Sequence, residues 1–154
     1  MPRLPRCALP ESGVYHVTAR GVARSAIALD DDDRRRFLRL LAEAVEREAW
    51  HCYAFCLMPN HYHLVVDAFL TSLSRGLHRL NGSYAREFND RHERSGHLFG
   101  NRFAAWVIRD ENHLRNACAY VQHNPVRAGL CEDADEWPWG GMTRAVTILP
   151  LRAC

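Results

Sequence analysis

The positions of apolar and polar residues divide the chain into seven regular segments. Val14–Arg20 alternates between the two kinds of residue and is bounded by glycines, a pattern typical of a half-buried strand. Leu73–Phe88 carries apolar residues at spacings of three and four, which predicts an amphipathic helix. The predicted elements, in chain order, are strand Val14–Arg20, helix 30–48, strand Trp50–Met58, strand His61–Asp67, helix Leu73–Phe88, strand Phe103–Ile108 and helix Asp110–His123.

This order of elements predicts the fold class. A β-α-β-β-α-β sequence is the ferredoxin-like α+β arrangement, an antiparallel sheet with two helices on one face. The helix over Asp110–His123 is an addition to that arrangement and is free to lie on the open face of the sheet. The Pro59-Asn60 pair favours a hairpin between the second and third strands, and Asp30–Asp33 offers N-cap and first-turn residues for the first helix.

Length and composition are those of one globular domain. The 154 residues are 47% hydrophobic and 25% charged, and a chain of this length buries enough surface to fold without disulfides or metal. We expect a single domain over 1–154, with a core at about 13–130 and a Pro/Trp-rich tail, 131–154, packed on it.

Neither a membrane span nor a disulfide framework is predicted. No apolar stretch approaches the ~20 residues of a transmembrane helix, and the first residues lack the apolar core of a signal peptide. The six cysteines contain no C-x-x-C pair and no even spacing, which indicates free thiols in a reducing compartment. We therefore expect a cytoplasmic protein without a membrane partner.

The charged residues permit a nucleic-acid surface without requiring one. All 20 basic residues are arginine, and with 18 acidic residues the formal net charge is +2. Basic residues exceed acidic ones in 1–29 and 72–115, and these two segments flank neutral or acidic ones. Arginine is the side chain best suited to bidentate phosphate contacts and to stacking on bases.

Two motifs offer candidate chemistry. His61 and His63 are two residues apart on a predicted strand and point to the same face, as two ligands of one metal ion would; a pair of ordinary surface or core histidines is the alternative. Tyr120 and Asn124 are four residues apart and share one helix face. Their alternative roles are a core aromatic residue and a helix-terminal cap before Pro125.

Longer strings give the chain a family resemblance. They are Cys56–Val66 (CLMPNHYHLVV), Tyr15–Thr18 (YHVT), Asn124–Gly129 (NPVRAG), Leu73–Gly76 (LSRG), Gly96–Phe99 (GHLF) and Trp137–Trp139 (WPW). In this order they cover nearly the whole chain and resemble the REP-associated tyrosine transposases, members of the single-tyrosine branch of the HUH (His-hydrophobic-His) nucleases. One position departs from the family pattern: Ala104 follows Arg102-Phe103 where relatives often carry a lysine.

The resemblance implies a metal-dependent single-strand DNA endonuclease and strand transferase that acts on hairpin-forming repetitive palindromes. It implies that Tyr120 is the nucleophile, which forms a 5′-phosphotyrosine intermediate, and that His61, His63 and Asn124 bind a divalent metal ion. Mg²⁺ or Mn²⁺ suits such an open site, because phosphate and water fill the remaining positions, and imidazole ligands favour Mn²⁺.

We expect DNA contacts from several arginines and from one histidine on the open sheet face. These residues are Arg127, Arg102, Arg75, Arg79, Arg86 and His16. Each arginine has a solvated surface charge as its alternative role; Arg127 is favoured because the NPVRAG turn would hold it near Tyr120. The expected partner is single-stranded or hairpin DNA in the nucleoid, bound by a monomer or a homodimer.

Two further functions are compatible with the sequence. The first is a catalytically silent module that binds hairpin nucleic acid without cutting it. The second is a zinc staple built on His61 and His63, which lacks further cysteine or histidine ligands at a recognisable spacing.

Overall fold

The computed structural model describes residues 5–142. The strands are β1 (Ser12–Arg20), β2 (His51–Leu57), β3 (His61–Phe69), β4 (Ala104–Ile108) and β5 (Gly140–Met142). The helices are α1 (Asp31–Arg47), α2 (Leu70–Arg91), α3 (Glu111–Gln122) and the single turn α4 (Asn124–Arg127), with three short 3₁₀ turns at Arg6–Ala8, Val22–Arg24 and Ala134–Glu136.

The strands form one antiparallel sheet in the order β4-β1-β3-β2-β5. The four strands predicted from the sequence occupy the β4-β1-β3-β2 part of it, and the crossovers through α1 and α2 place both helices on one face. The predicted ferredoxin-like α+β arrangement with an extra C-terminal helix is therefore confirmed. Because β1 and β3 are the central strands of this part, side chains on them are held on both sides by neighbouring strands.

Alternating residues of β1 and β3 serve two separate cores. Tyr15, Val17 and Leu64 point towards α1 and α2 and belong to the larger cluster. Val14 and Val65 point the other way, into a smaller cluster that α3 covers. The α3 residues of this cluster are Leu114, Ala117, Cys118 and Val121. The sheet is thus buried on both faces, by two helices on one and a single helix on the other.

Helices α1 and α3 each begin after a capping aspartate, and the cap of α1 lies in the predicted Asp30–Asp33 stretch. The Asp30 carboxylate accepts a hydrogen bond from the backbone N–H of Asp33 at 2.9 Å, and Asp110 caps α3 in the same way through His113. Gly76 lets α2 approach Trp50 closely, because a Cβ at this position would collide with the indole ring.

Helix boundaries differ from the predictions at two places. The second helix spans Leu70–Arg91 and is therefore three residues longer at each end than the predicted Leu73–Phe88. The third helix ends at Gln122, and the chain then forms a separate helical turn from Asn124. Pro125 explains the second difference: it cannot donate a backbone hydrogen bond inside a helix, but it is well accommodated in the first turn of a new one.

The tail contains a strand that the sequence did not predict. Gly140–Met142 pairs with β2, and Gly141 lies against the Phe55 ring, where a Cβ would be too close. Trp137 donates its indole N–H to the carbonyl of Leu57 at 3.1 Å. These contacts place residues 137–142 on the domain core; the part of the predicted tail at 143–154 lies outside the described residues.

Across residues 5–142, none of the helices combines the length and the apolar character that crossing a membrane requires.

Candidate active site

The central strands bring three histidines to the face that α3 covers. In the β1–β3 register Thr18 lies opposite His63 and Arg20 opposite His61, so His16 lies two residues along β1 from the partner of His63. The ring centroids of His61 and His63 are 4.9 Å apart, and those of His16 and His63 are 5.1 Å apart. This cluster of three adjacent imidazoles is the centre of the candidate site.

Tyr120 lies over the histidine cluster from the last turn of α3. Its ring centroid is 5.8 Å from that of His16 and 5.8 Å from that of His63. Leu114, Cys118 and Val121 form the buried side of α3, which leaves Tyr120 on the flank of the helix with 47% of its surface exposed. The phenol is thus both next to the histidines and open to a ligand.

Arg127 packs against the ring of Tyr120 and is hydrogen-bonded to its backbone. Its guanidinium carbon is 3.9 Å from the centre of the phenol ring, and its Nη2 donates a hydrogen bond to the backbone carbonyl of Tyr120 at 2.8 Å. A guanidinium over an aromatic face is a favourable cation–π pair. The separate turn α4 makes the contact possible, because it brings residue 127 back beside residue 120.

Asn124 lies at the first position of α4, four residues after Tyr120, and is half-buried. The sequence predicted that Tyr120 and Asn124 share one helix face. In the structure the helix changes at His123, so the two residues lie on different helices, one on each side of this junction.

Burial keeps the three histidines neutral. It lowers the pKa of His16 and of His61 to about 4, with smaller contributions from the neighbouring His113 and Arg20 respectively. It lowers the pKa of His63 to about 3, with His16 and His61 as further causes. Neutral imidazoles are the form that binds metal ions, so all three carry a lone pair at neutral pH.

A hydrogen bond fixes which nitrogen of His61 carries its proton. His61 Nδ1 lies 2.6 Å from the amide oxygen of Asn60, which only accepts, so Nδ1 is the donor. The Asn60 amide nitrogen donates to the carbonyl of Arg24 at 3.2 Å, which is consistent with this orientation of the amide. The lone pair of His61 is therefore on Nε2.

The donor set fits an open metal site and does not fit a closed one. Among the residues that the structure describes, no three His, Cys, Asp or Glu side chains are placed to hold a metal ion together. The alternative zinc staple would need four such ligands. Two imidazoles, together with the amide that the family resemblance assigns from Asn124, would instead leave coordination positions for phosphate and water, as Mg²⁺ and Mn²⁺ require.

Four of the six predicted DNA contacts lie away from the histidines. Arg75, Arg79 and Arg86 on α2 and Arg102 in the loop before β4 line a groove of about 1200 Å³. The groove is on the α1–α2 side of the sheet. Arg75 is also bound to the carboxylate of Glu48, at 2.6 Å from Nη2, so part of its hydrogen-bonding capacity is used within the protein.

Two residues of the site were missed by the sequence analysis. Trp106 on β4 lies opposite His16 in the register, with ring centroids 5.7 Å apart. Asn60, which had been assigned only to a turn, binds His61. The alternation of β4 could have placed Trp106 on a face, but nothing in the sequence indicates which residue of β1 it opposes.

Comparison with known proteins defines the family. The sequence profile described as IS200-like transposase matches residues 11–124, which include β1, the histidine pair, Tyr120 and Asn124. The chain belongs to the IS200-like transposase family. A Haemophilus influenzae protein named as a REP-associated tyrosine transposase is 28% identical over 119 residues, covering 68% of this chain and 65% of that protein. The chain thus aligns with slightly less than two thirds of this relative's length.

Solved structures confirm the fold. A structure of a REP-associated tyrosine transposase bound to a REP hairpin superposes with a TM-score of 0.72 at 17% identity, covering 91% of this chain and 82% of that one. A crystal structure of a Deinococcus radiodurans protein described as a transposase superposes with a TM-score of 0.50 at 15% identity, covering 84% and 98%. The resemblance to REP-associated tyrosine transposases is confirmed at the level of family and fold.

Proposed function

We propose that this member of the family is a metal-dependent single-strand DNA endonuclease and strand transferase that acts on hairpin-forming repetitive palindromes. The observation that carries the proposal is the placement of one exposed phenol, Tyr120, over the neutral His63, whose ring lies beside that of the neutral His61 on the same face of the sheet. The hairpin ligand in one structural relative, a REP-associated transposase, supports the choice of substrate.

Cleavage would proceed by attack of the Tyr120 oxygen on a backbone phosphorus atom. A Tyr–O–P bond forms and the bond from phosphorus to the 3′ oxygen breaks, so the products are a 5′-phosphotyrosine and a free 3′-hydroxyl. The phenol gives up its proton to solvent, and the departing 3′ oxygen gains one. Because the bond energy is retained in the phosphotyrosine, the same site can rejoin the strand to another 3′ end.

The other residues prepare this attack. His61, His63 and Asn124 would hold a divalent ion, which supplies polarisation of the scissile phosphate and charge for the transition state when bound. Arg127, at 3.9 Å from the Tyr120 ring, stabilises negative charge as it develops around the phenol oxygen. Arg127 would therefore contact DNA beside Tyr120, unlike the arginines that line the groove on the α1–α2 side.

A single chain supplies the tyrosine, the histidine pair and Arg127 at this site. Tyr120 lies over His63 of its own chain, at a centroid distance of 5.8 Å, so no second copy is needed to complete the arrangement. This supports a monomer as the active unit, in place of a dimer whose tyrosine helices reach across to the partner.

The groove between α2 and the 96–103 loop would hold the paired part of the hairpin. Arg79, Arg86 and Arg102 line it, and guanidinium groups match the spacing of phosphate oxygens. The loop reaches the histidine end of the sheet through the bond from Gly100 N–H to the carbonyl of Arg20, 3.0 Å long. A hairpin held in the groove could therefore pass its unpaired flank around this end towards Tyr120.

The test uses a labelled single-stranded hairpin with an unpaired 5′ flank, incubated with the protein and Mn²⁺. The proposal expects a covalent protein–DNA band that depends on the ion and is absent with a chelator. Tight hairpin binding without any covalent band would favour the silent binding module instead.

A further inference from the structure

His16 contacts three aromatic members of the site. Its Nε2 lies 2.9 Å from Nδ1 of His63, and its ring is packed between Trp106 on the β4 side and Tyr120 above. The strand that carries it is bonded to neighbours on both sides. The imidazole of His16 is therefore held in one place and has its Nε2 committed to His63.

A hydrogen bond between two neutral imidazoles has two possible directions. Either His63 Nδ1 donates and His16 Nε2 accepts, or the reverse. In the first case the lone pair of His63 is on Nε2, directed away from His16. In the second case Nε2 of His63 carries the proton and cannot bind a metal ion without a change of tautomer.

His61 shows which direction the site favours. Its Nδ1 donates to the amide oxygen of Asn60, a group that only accepts, and this leaves Nε2 with the lone pair. Acceptors at Nδ1 commonly orient histidine ligands in metal sites. If His16 accepts from His63, both histidines of the pair have an acceptor at Nδ1 and an open Nε2.

We propose that His16 is a positioning residue that accepts a hydrogen bond from His63 Nδ1 and so fixes the tautomer and ring orientation that leave His63 Nε2 open for a divalent metal ion. This inference rests on the proposed function in one respect, the binding of metal by His63. It assigns His16 a role within the protein, beside the expected DNA contact, because its Nε2 is hydrogen-bonded to His63.

Two substitutions distinguish the hydrogen-bonding role of the His16 side chain from its role in filling space. The glutamine in His16→Gln has a side-chain oxygen at about the place of Nε2 and can accept from His63, whereas His16→Leu fills similar space without an acceptor. His51→Gln is the matched control, since His51 lies on β2 opposite Asp67, at the far end of the sheet from His61. Thermal melting shows whether each variant is folded.

The first readout is the tautomer of His63 in the metal-free protein, measured by nitrogen-15 NMR of the imidazoles. We expect His63 to be protonated on Nδ1 in the wild type and in His16→Gln, and to lose this single tautomer in His16→Leu. A His63 protonated on Nε2 in the wild type would overturn the inference. This measurement involves neither metal nor DNA, so it does not depend on the proposed activity.

The second readout is Mn²⁺ affinity by calorimetry. Loss of an outer acceptor typically weakens a metal site by about 10–100-fold, which we expect for His16→Leu, with His16→Gln and His51→Gln close to the wild type. Unchanged affinity in His16→Leu would overturn the positioning role, as would equal loss in His16→Gln and His16→Leu. Absence of Mn²⁺ binding to the wild type, with the expected tautomer present, would instead overturn the proposed metal site.

Discussion

The two faces of the sheet differ in how completely they are covered, and the candidate chemistry lies on the less covered one. On the α1–α2 face, Tyr62 is fully buried and its hydroxyl donates to Asn81 at 2.8 Å. On the other face, the single helix α3 ends over His63, and Tyr120 remains 47% exposed. Adjacent residues of one strand therefore serve opposite purposes, Tyr62 in stability and His63 in the site.

Tyr62 and Tyr120 show how the different burial of the two faces affects a phenol group. Burial raises the pKa of Tyr62, only partly offset by its bond to Asn81, and no ligand can reach its oxygen. Tyr120 is accessible and has the positive charge of Arg127 against its ring. Of these two phenols, only Tyr120 is exposed to a ligand.

The largest effect is expected from removing one hydroxyl on each face. Tyr120→Phe should abolish strand cleavage, by about 1000-fold or more, because no other nucleophile replaces the phenol. Tyr62→Phe should retain cleavage but lower the free energy of unfolding by about 0.5–1.5 kcal/mol, because its hydrogen bond to the half-buried Asn81 is lost. Cleavage assays and denaturant titrations on both variants check this. Near-normal cleavage by Tyr120→Phe would break the assignment.

A second large effect is expected at the histidine pair. His61→Ala and His63→Ala should each lose Mn²⁺ binding and cleavage together, because each removes one of two imidazole ligands. Asn124→Ala should weaken Mn²⁺ binding less, since a neutral amide oxygen is the weaker ligand. Calorimetry on the folded variants measures this. Wild-type Mn²⁺ affinity in both histidine variants would exclude the metal site.

Much of this arrangement is readable from the sequence, since strand and helix periods depend on local side chains. The period of two placed His61 and His63 on one face with His16, and the helical spacing in Leu73–Phe88 placed α2 correctly apart from its ends. The expectations for residue roles remain proposals, because they concern reactivity rather than position.

Contacts that depend on distant parts of the chain could not be read in this way. Strand β5 is only three residues long and is held by pairing to β2, which no local pattern encodes. The bond between His16 and His63 depends on the β1–β3 register, and the contact of Arg127 with Tyr120 depends on the break before α4. In each case the position of a partner far along the chain, or a change of helix direction, decides the contact.

A moderate effect is expected in the groove on the well-covered side. Arg79→Gln together with Arg86→Gln should weaken binding of a hairpin with an unpaired flank and reduce the salt dependence. Each lost phosphate contact lowers the slope of log affinity against log salt by about 0.7 for single strands and about 0.9 for duplex. Anisotropy titrations at two salt concentrations measure the slope.

The control for the groove is Arg35→Gln, an exposed arginine on α1 that is paired with Asp32. It changes the net charge without touching the groove. If Arg35→Gln lowers the slope of log affinity against log salt as much, per charge removed, as the α2 substitutions do, the groove is not the DNA surface.

The form of the DNA gives a further test of the same surface. A hairpin with an unpaired 5′ flank should bind more tightly than a perfect duplex of the same sequence, because unpaired bases can stack on arginine or aromatic groups for about 1–3 kcal/mol each. Competition titrations between the two forms measure the preference. Equal affinities with equally steep salt slopes would indicate a general duplex binder.

The smallest effect concerns acid stability of the metal-free protein. The pKa of His63 is lowered from 6.5 to about 3 by burial, so between these values the unfolded chain binds more protons and the free energy of unfolding falls as pH falls. The melting temperature should drop between about pH 7 and about pH 5. The drop should be smaller, by about 2–4 °C, in His63→Gln. The exposed His78 provides the control, as His78→Gln should keep the wild-type drop.

The most direct test of the central claim is to locate the covalent bond. The protein is incubated with Mn²⁺ and a hairpin with an unpaired 5′ flank, digested with protease and nuclease, and analysed by mass spectrometry for peptides that carry a nucleotide. The account predicts a 5′-phosphotyrosine on Tyr120 in the wild type and no adduct in Tyr120→Phe. An adduct on another residue, or cleavage without any protein–DNA bond, would contradict it.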